Sequence, residues 1–356
     1  MGMNPSGTTE AMLTDDGFVG ASPQPFSQDA CWKIGFAAAT YLRSVLLGYD
    51  RSDPNINRIV IGHGPGSAAA EHAGAASRGV LCSDYGSLEL GEVCWGEVSA
   101  WMARERCAGG LMVWGAGPES RTLGVSVFGQ GGRQIFRESG LAEIGRISSR
   151  LTPHPRPPIR VADRGSAAAM LGELLLKWGD WSRWPSGQAG VADRTLELQV
   201  PQARARTILQ AVLKKAGVVA QVSDGSSSGD RSERTWVLAL DPSSRDCRVL
   251  RPGPSGCAAP ALPWREIAES LLTRYRPGAD ALAMVVPEAD EALQQAAQAS
   301  GRSVVVRRLG GCAHQRALAE LGNGVAVDIG GGVMHQALGG SGCGLLTMVM
   351  LASCLL

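Results

Sequence analysis

The chain has 356 residues, 44% hydrophobic and 19% charged, and its 34 basic and 33 acidic side chains leave a net charge of +1. That length suits about two to three domains with buried cores, and the near-neutral balance carries no electrostatic footprint for nucleic acid or an anionic membrane. Nine scattered cysteines (Cys31, Cys82, Cys94, Cys107, Cys247, Cys257, Cys312, Cys343 and Cys354) form no C-x-x-C pair, which points to buried thiols in a reducing, cytoplasmic setting rather than a disulfide framework or zinc site. No basic segment leads into an apolar run at the N-terminus, so no signal peptide is expected.

In chain order, DGFVG at residues 16–20 precedes a helix expected over residues 29–46, with Trp32, Phe36, Leu42, Val45 and Leu46 at helical spacing. A buried strand at 58–62 runs into His63, Gly64, Pro65, Gly66 and Ser67, then an alanine-rich helix. Such a glycine-rich turn can present backbone N–H groups to a phosphate at the helix N-terminus. Its G-x-G-x-G spacing differs from the dinucleotide fingerprint. A strand at 80–83, a helix at 96–107 and a strand at 110–114 follow, an alternation that predicts a mostly parallel sheet covered by helices. The last strand opens onto the loop Gly115, Ala116, Gly117, Pro118, Glu119 and Ser120, and then onto Gly124, Val125 and Ser126. Prolines in LTPHPRPP, residues 151–158, mark a linker in which His154 reads as a solvated side chain.

Beyond the linker, a helix is expected at 167–176, a strand at 196–200, a helix at 202–215 and a strand at 218–222. The polar run at 223–234 reads as a surface loop, and the strand at 235–240 delivers Asp241, Pro242, Ser243, Ser244, Arg245 and Asp246. The α/β alternation repeats with helices at 264–275, 288–299 and 312–321 and strands at 281–286, 303–307 and 325–328. VDIGGG, residues 327–332, has the shape of a methyltransferase first motif, yet only 24 residues follow it, too few for the strands such a sheet requires. The apolar run at 344–356 falls far short of the roughly 20 residues of a spanning helix and reads as a core helix.

The order and spacing of these segments resemble the α-D-phosphohexomutase superfamily over most of residues 12–356. There the buried strand ends in a G-I-M-I-T-A-S-H-N-P loop whose serine carries the phosphoryl group. Ala116 occupies that serine's position and Ser126 that of the family's lysine. Val19 replaces the arginine of D-G-I-R-G, and His63, Gly64 and Gly66 stand in the G-R-D-T-R-x-S turn. The metal loop D-x-D-x-D-R keeps only Asp241 in register, with Ser243 and Arg245 replacing carboxylates and Asp246 one place late. The segment at 307–310 takes the T-P-V-G position. In the sugar-recognition loop G-G-E-x-[SN]-G, Asp328 replaces the glutamate and Gly330 the serine or asparagine, and Cys343 stands downstream where aspartate is usual. The resemblance implies three consecutive α/β/α domains with mixed, mostly parallel sheets, at 1–150, 159–255 and 256–356, without the family's fourth, phosphate-clamping domain. It implies no catalytic nucleophile, residual metal ligands Asp241 and Asp246, and substrate contacts from Asp328, Gly330, His63 and Ser67. No cofactor is expected, except Mg²⁺ if the metal loop is still competent; the partners implied are a hexose phosphate or another protein. The expected function is that of a catalytically silent phosphohexomutase homologue, the rival being an active mutase using Ser120 or Ser126 as acceptor.

Overall fold

The computed structural model describes residues 8–45, 56–115, 117, 119–152, 163–184, 195–226, 235–251, 261–275, 283–288, 291–306, 312–321, 324–328, 331–338 and 340–355. Ala116, Gly330, Cys257, His154 with most of its linker, the 307–310 segment and most of the polar run at 223–234 lie outside them. The chain divides into two compact units, Met1–Ala167 and Ala168–Leu356.

The first unit contains α1 (Thr8–Ala11), β1 (Phe18–Ala21), α2 (Gln28–Val45), β2 (Arg58–His63), α3 (Ser67–Cys82), β3 (Gly86–Glu92), α4 (Trp95–Arg104), β4 (Gly109–Gly115), β5 (Thr122–Phe128), α5 (Leu141–Ser149) and β6 (Asp163–Arg164). Its six-stranded sheet has the order β1-β5-β4-β2-β3-β6, with β2 parallel to both β3 and β4 and β5 antiparallel to its neighbours. Strand alternation divides the core in two. Ile59, Ile61, Leu111 and Val113 join the layer under α2 and α3, while Val60 and Met112 pack under α4 with Trp95 and Phe128.

The run at 80–83 is the last turn of α3 rather than a strand, and the strand lies further on, at β3. Helix–helix packing explains the difference. A Cβ on Gly35 would lie 2.2 Å from the Ala76 carbonyl oxygen, and one on Gly79 would lie 2.1 Å from that of Trp32. The α2–α3 crossing therefore brings backbone against backbone, and α3 must continue past Gly79 to complete it. Asp84, at φ 70, then ends the turn. β5, whose residues matched a family motif without a strand assignment, forms the antiparallel partner of β4.

The second unit holds two sheets. α6 (Ala168–Trp178), β7 (Thr195–Gln199), α7 (Ala203–Ala216), β8 (Gln221–Ser223), β9 (Thr235–Leu240) and β10 (Cys247–Leu250) give a four-stranded sheet of order β10-β9-β7-β8. α8 (Trp264–Thr273), β11 (Ala283–Val286), α9 (Glu291–Ala299), β12 (Val304–Val306), α10 (Cys312–Leu321), β13 (Gly324–Val327), β14 (Val333–His335), β15 (Ser341–Gly342) and α11 (Gly344–Leu355) give a five-stranded one, β12-β11-β13-β14-β15. All three sheets are mixed, and parallel pairings predominate. The chain is thus α/β, as expected.

α11 carries no charge and every one of its 12 residues is buried. It packs against α6, α8, β9 and β10, the behaviour of a helix apolar on all sides. No helix among the described residues is long and apolar enough to cross a membrane.

Candidate functional site

In the first unit the chain reverses its direction of sheet growth at β2. α3 leads from β2 to β3 on one side, and α4 returns across to β4 on the other. At such a switch point the C-terminal ends of neighbouring parallel strands open a crevice that commonly receives ligands. His63 and Gly64 end β2 there, held to β4 by the Gly64 N–H donating to the Val113 carbonyl at 2.8 Å. Gly66, at φ 104, adopts a conformation open to glycine and opens α3 as an N-cap with no side-chain cap. Ser67 is exposed and His63 half-buried. The imidazole Nδ1 lies 2.8 Å from the Gly64 carbonyl oxygen, which fixes the tautomer with the proton on Nδ1 and leaves Nε2 as an acceptor whenever the ring is neutral.

β4 brings its own end to the same edge. Trp114 is half-buried, and its indole lies over Gly124, where a Cβ would come within 2.4 Å of the ring. Its Nε1 donates to Ser126 Oγ at 3.2 Å, and Ser126 Oγ donates to the Asp16 carbonyl at 3.3 Å. Ser126 is fully buried beneath this indole. Ser120 is the more accessible hydroxyl, yet its Oγ donates to the Thr122 carbonyl at 2.8 Å and accepts from the Thr122 N–H at 3.1 Å. The DGFVG turn packs under the same edge: Gly17 stands where a Cβ would be 2.6 Å from the Val125 carbonyl oxygen, and Gln134 Nε2 donates to the Asp16 carbonyl at 3.0 Å.

The carboxylates singled out from the sequence lie in the second unit, at two tight turns. Asp241 ends β9. Its Oδ2 accepts from the Ser243 N–H at 3.0 Å and from the Ser243 hydroxyl, and its Oδ1 accepts from the Asp246 N–H at 2.7 Å. Its backbone closes the same hairpin, with the Asp241 N–H donating to Asp246 O at 3.1 Å and the Ser244 N–H to Asp241 O at 2.9 Å. Asp241 and Asp246 are therefore brought together, but through the backbone of Asp246. Among the described residues no group of three or more His, Cys, Asp or Glu side chains could hold a metal. Cys247, fully buried beside this turn, has its thiol pushed well up by burial and by the nearby Asp241 and Asp246, so it is neither a ready thiolate ligand nor a nucleophile.

Asp328 repeats the pattern after β13. Its Oδ1 accepts from the Gly332 N–H at 2.9 Å, its N–H donates to Gly332 O at 2.9 Å, and its carbonyl accepts from Gly331 at 3.0 Å. Gly331, at φ 83, supplies the left-handed residue that this short β13–β14 turn needs. At Gly332 a Cβ would meet the Asp328 carboxylate at 2.7 Å. Replacement of both surviving carboxylates' partners by their own backbone was not legible in the motif spacing. The nearest sequence signal is the D-x-S at 241–243, the signature of an Asx turn. Ser244, buried and at φ 59, is the residue of this turn that sequence reasoning passed over.

No family model matches the sequence, and no curated protein sequence matches it. Solved structures match by shape. A Thermus thermophilus protein assigned as a phosphomannomutase shares 18% identity, covers 96% of this chain and 79% of its own, and superposes with a TM-score of 0.74. A phosphoglucomutase/phosphomannomutase family protein from Burkholderia thailandensis shares 15% identity over 99% of this chain and 78% of its own, with a TM-score of 0.70. The N-acetylphosphoglucosamine mutase of Aspergillus fumigatus, solved with GlcNAc-6P and magnesium, shares 10% identity over 99% of this chain and 79% of its own, with a TM-score of 0.53. At these identities the likeness establishes the fold, which is that of the α-D-phosphohexomutases.

Proposed function

We propose that this chain is a phosphohexomutase homologue that binds a hexose phosphate without transferring its phosphoryl group. The observation that supports this most is the engagement of Asp241, whose two carboxylate oxygens take three hydrogen bonds from the turn that would have to hold the metal. Phosphoryl transfer needs a nucleophile, a metal and oriented donors to the moving charge. Alanine at 116 offers no acceptor oxygen, Ser126 is sealed beneath Trp114, and both hydrogen-bonding roles of Ser120 are taken by Thr122.

Mg²⁺ requires several oxygen ligands in near-octahedral geometry. Here Ser243 and Arg245 occupy two of the three carboxylate positions, and a guanidinium about 4 Å from a divalent ion opposes binding by several kcal/mol even at an effective dielectric near 20. The residues present do not fit the ion, and no step is assigned to it.

What the first unit retains is a place for an anion. The N-terminus of the 16-residue α3 carries the backbone N–H groups that open any helix and the positive end of the helix dipole. Ser67 and the imidazolium form of His63, whose Nε2–H then donates, flank it as the phosphate contacts of this reading; in the second unit, taken by itself, Asp328 and Gly330 are the candidate sugar-hydroxyl contacts. The bond between Asp328 and Gly332 shortens the reach of that carboxylate.

The test is a mutase assay on the purified chain with Mg²⁺, a hexose 1,6-bisphosphate activator and glucose, mannose and glucosamine 1-phosphates, paired with calorimetric titration of the same sugars. We expect saturable binding and no turnover above a contaminant control. Turnover would overturn the silent reading; absence of any binding would overturn the ligand and leave a protein partner as the remaining role.

A further inference from the structure

We infer that the Asp241–Asp246 turn is a latch that fastens the second unit's two sheets into one rigid body, with Ser244 at its centre. Ser244 is 1% exposed and holds φ 59, a left-handed conformation that a non-glycine residue keeps only where its surroundings hold it there. Three surroundings do so. Its N–H donates to the Asp241 carbonyl at 2.9 Å, inside the hairpin that the Asp241 carboxylate closes. Its hydroxyl donates to Gln202 Oε1 at 2.8 Å, and Gln202 is the buried N-cap residue of α7. Its carbonyl accepts from the Gly344 N–H at 3.1 Å, the first residue of α11.

The last contact joins the two sheets. Gly344 follows closely on β15 of the five-stranded sheet, whereas Ser244 belongs to the β9–β10 hairpin of the four-stranded one. The fit is tight. A Cβ on Gly344 would lie 3.0 Å from Ser244 O, 2.9 Å from Asp246 O and 2.8 Å from Leu240 Cδ2, and Gly342 faces Arg245 O, where a Cβ would be 3.5 Å away. From that corner α11 runs wholly buried, tied to the five-stranded sheet by His335 Nε2 and Thr347 Oγ1 at 2.9 Å. At its other end the Trp184 indole donates to Ser353 Oγ at 3.1 Å. A helix seated on β9 and β10 while bonded to β14 gives the two sheets a common core. A turn built this way works as a mechanical fastener that needs no ion, and the two sheets open together.

The experiment is native-state hydrogen exchange of the full chain, read by mass spectrometry in rising sub-denaturing urea. In the unsubstituted protein, peptides from residues 235–250 and from 324–355 are expected to lose protection at the same urea concentration, as one cooperative unit does. Gly344→Ala should separate them, the hairpin opening first. Ser244→Ala keeps the backbone conformation, removes the hydroxyl that donates to Gln202 Oε1, and should speed exchange at 241–250 roughly ten- to a hundredfold, the scale of one buried hydrogen bond left unmade. Distinct midpoints in the unsubstituted protein, or coincident ones in Gly344→Ala, would overturn the latch. Should Gly344→Ala fail to fold, unchanged exchange in Ser244→Ala overturns it instead.

Discussion

His335 gives the sharpest quantitative handle on the second unit. It lies fully buried on β14 with Nε2 2.9 Å from Thr347 Oγ1, and burial, only partly opposed by a backbone hydrogen bond at Cys343, lowers its pKa from the ordinary 6.5 to about 3. The folded protein therefore keeps this ring neutral while the unfolded chain protonates it. Between pH 6.5 and about 3 the unfolded state carries one more proton, so stability falls as pH falls, by about 1.4 kcal/mol per pH unit at most. Over the whole window the loss approaches about 5 kcal/mol, of the order of an entire domain's stability. Above pH 6.5 the group contributes no slope. The assay is hydrogen exchange of peptides covering Gly344–Leu355 from pH 4 to 7, corrected for intrinsic exchange rates, for the unsubstituted protein and His335→Gln. The variant starts less stable because Thr347 loses its partner, but its opening free energy should vary with pH by about one proton less. Equal slopes in the two proteins would refute the assignment, since the remaining carboxylates are common to both.

Three further outcomes follow from particular contacts. Asp241→Asn should cost roughly 1–3 kcal/mol through weakened charge-assisted bonds to its own turn, with melting curves unmoved by millimolar Mg²⁺; a Mg²⁺-dependent rise in Tm that the substitution abolishes would reinstate the metal. Arg302 donates to the carbonyls of Leu271, Leu272 and Tyr275 at the end of α8, so Arg302→Ala should cost roughly 1–3 kcal/mol in urea unfolding, and a change within about 0.5 kcal/mol, as expected for surface positions, would contradict the capping role. Gly79→Ala forces a methyl group to within 2.1 Å of the Trp32 carbonyl and should destabilise the first unit by about 1–3 kcal/mol or more; a melting point unchanged from the unsubstituted protein would mean the α2–α3 crossing relaxes freely.

Periodicity made most of the fold legible. α2, α7, α10 and β9 stand within a residue or two of their expected bounds because each combines a clear apolar stripe or run with a polar or glycine stop. The misplaced strand at 80–83 shows the limit: a short apolar run carries no length information, and only the glycine-mediated crossing of α2 and α3 reveals that it is helical. The short antiparallel strands β1, β10, β14 and β15 went unread for a related reason, having two to four residues each, too few for a period to register. At the site, residue substitutions were visible but their consequences were not. Aspartate at 241 and 328 reads as ligand chemistry in a linear motif, while hydrogen bonds to backbone N–H groups two to five residues on are a property of turn geometry. Trp114 over Gly124 is likewise a contact between strands that no single-strand pattern contains.

The most direct test of the central claim is intact mass spectrometry of the purified chain after incubation with a hexose 1,6-bisphosphate and Mg²⁺. An unmodified mass is expected, since Ser126 is buried beneath the Trp114 indole and Ser120 Oγ is engaged with the Thr122 backbone. A phosphoryl adduct mapping to Ser120 or Ser126 would contradict it and make the chain a working mutase with a relocated nucleophile.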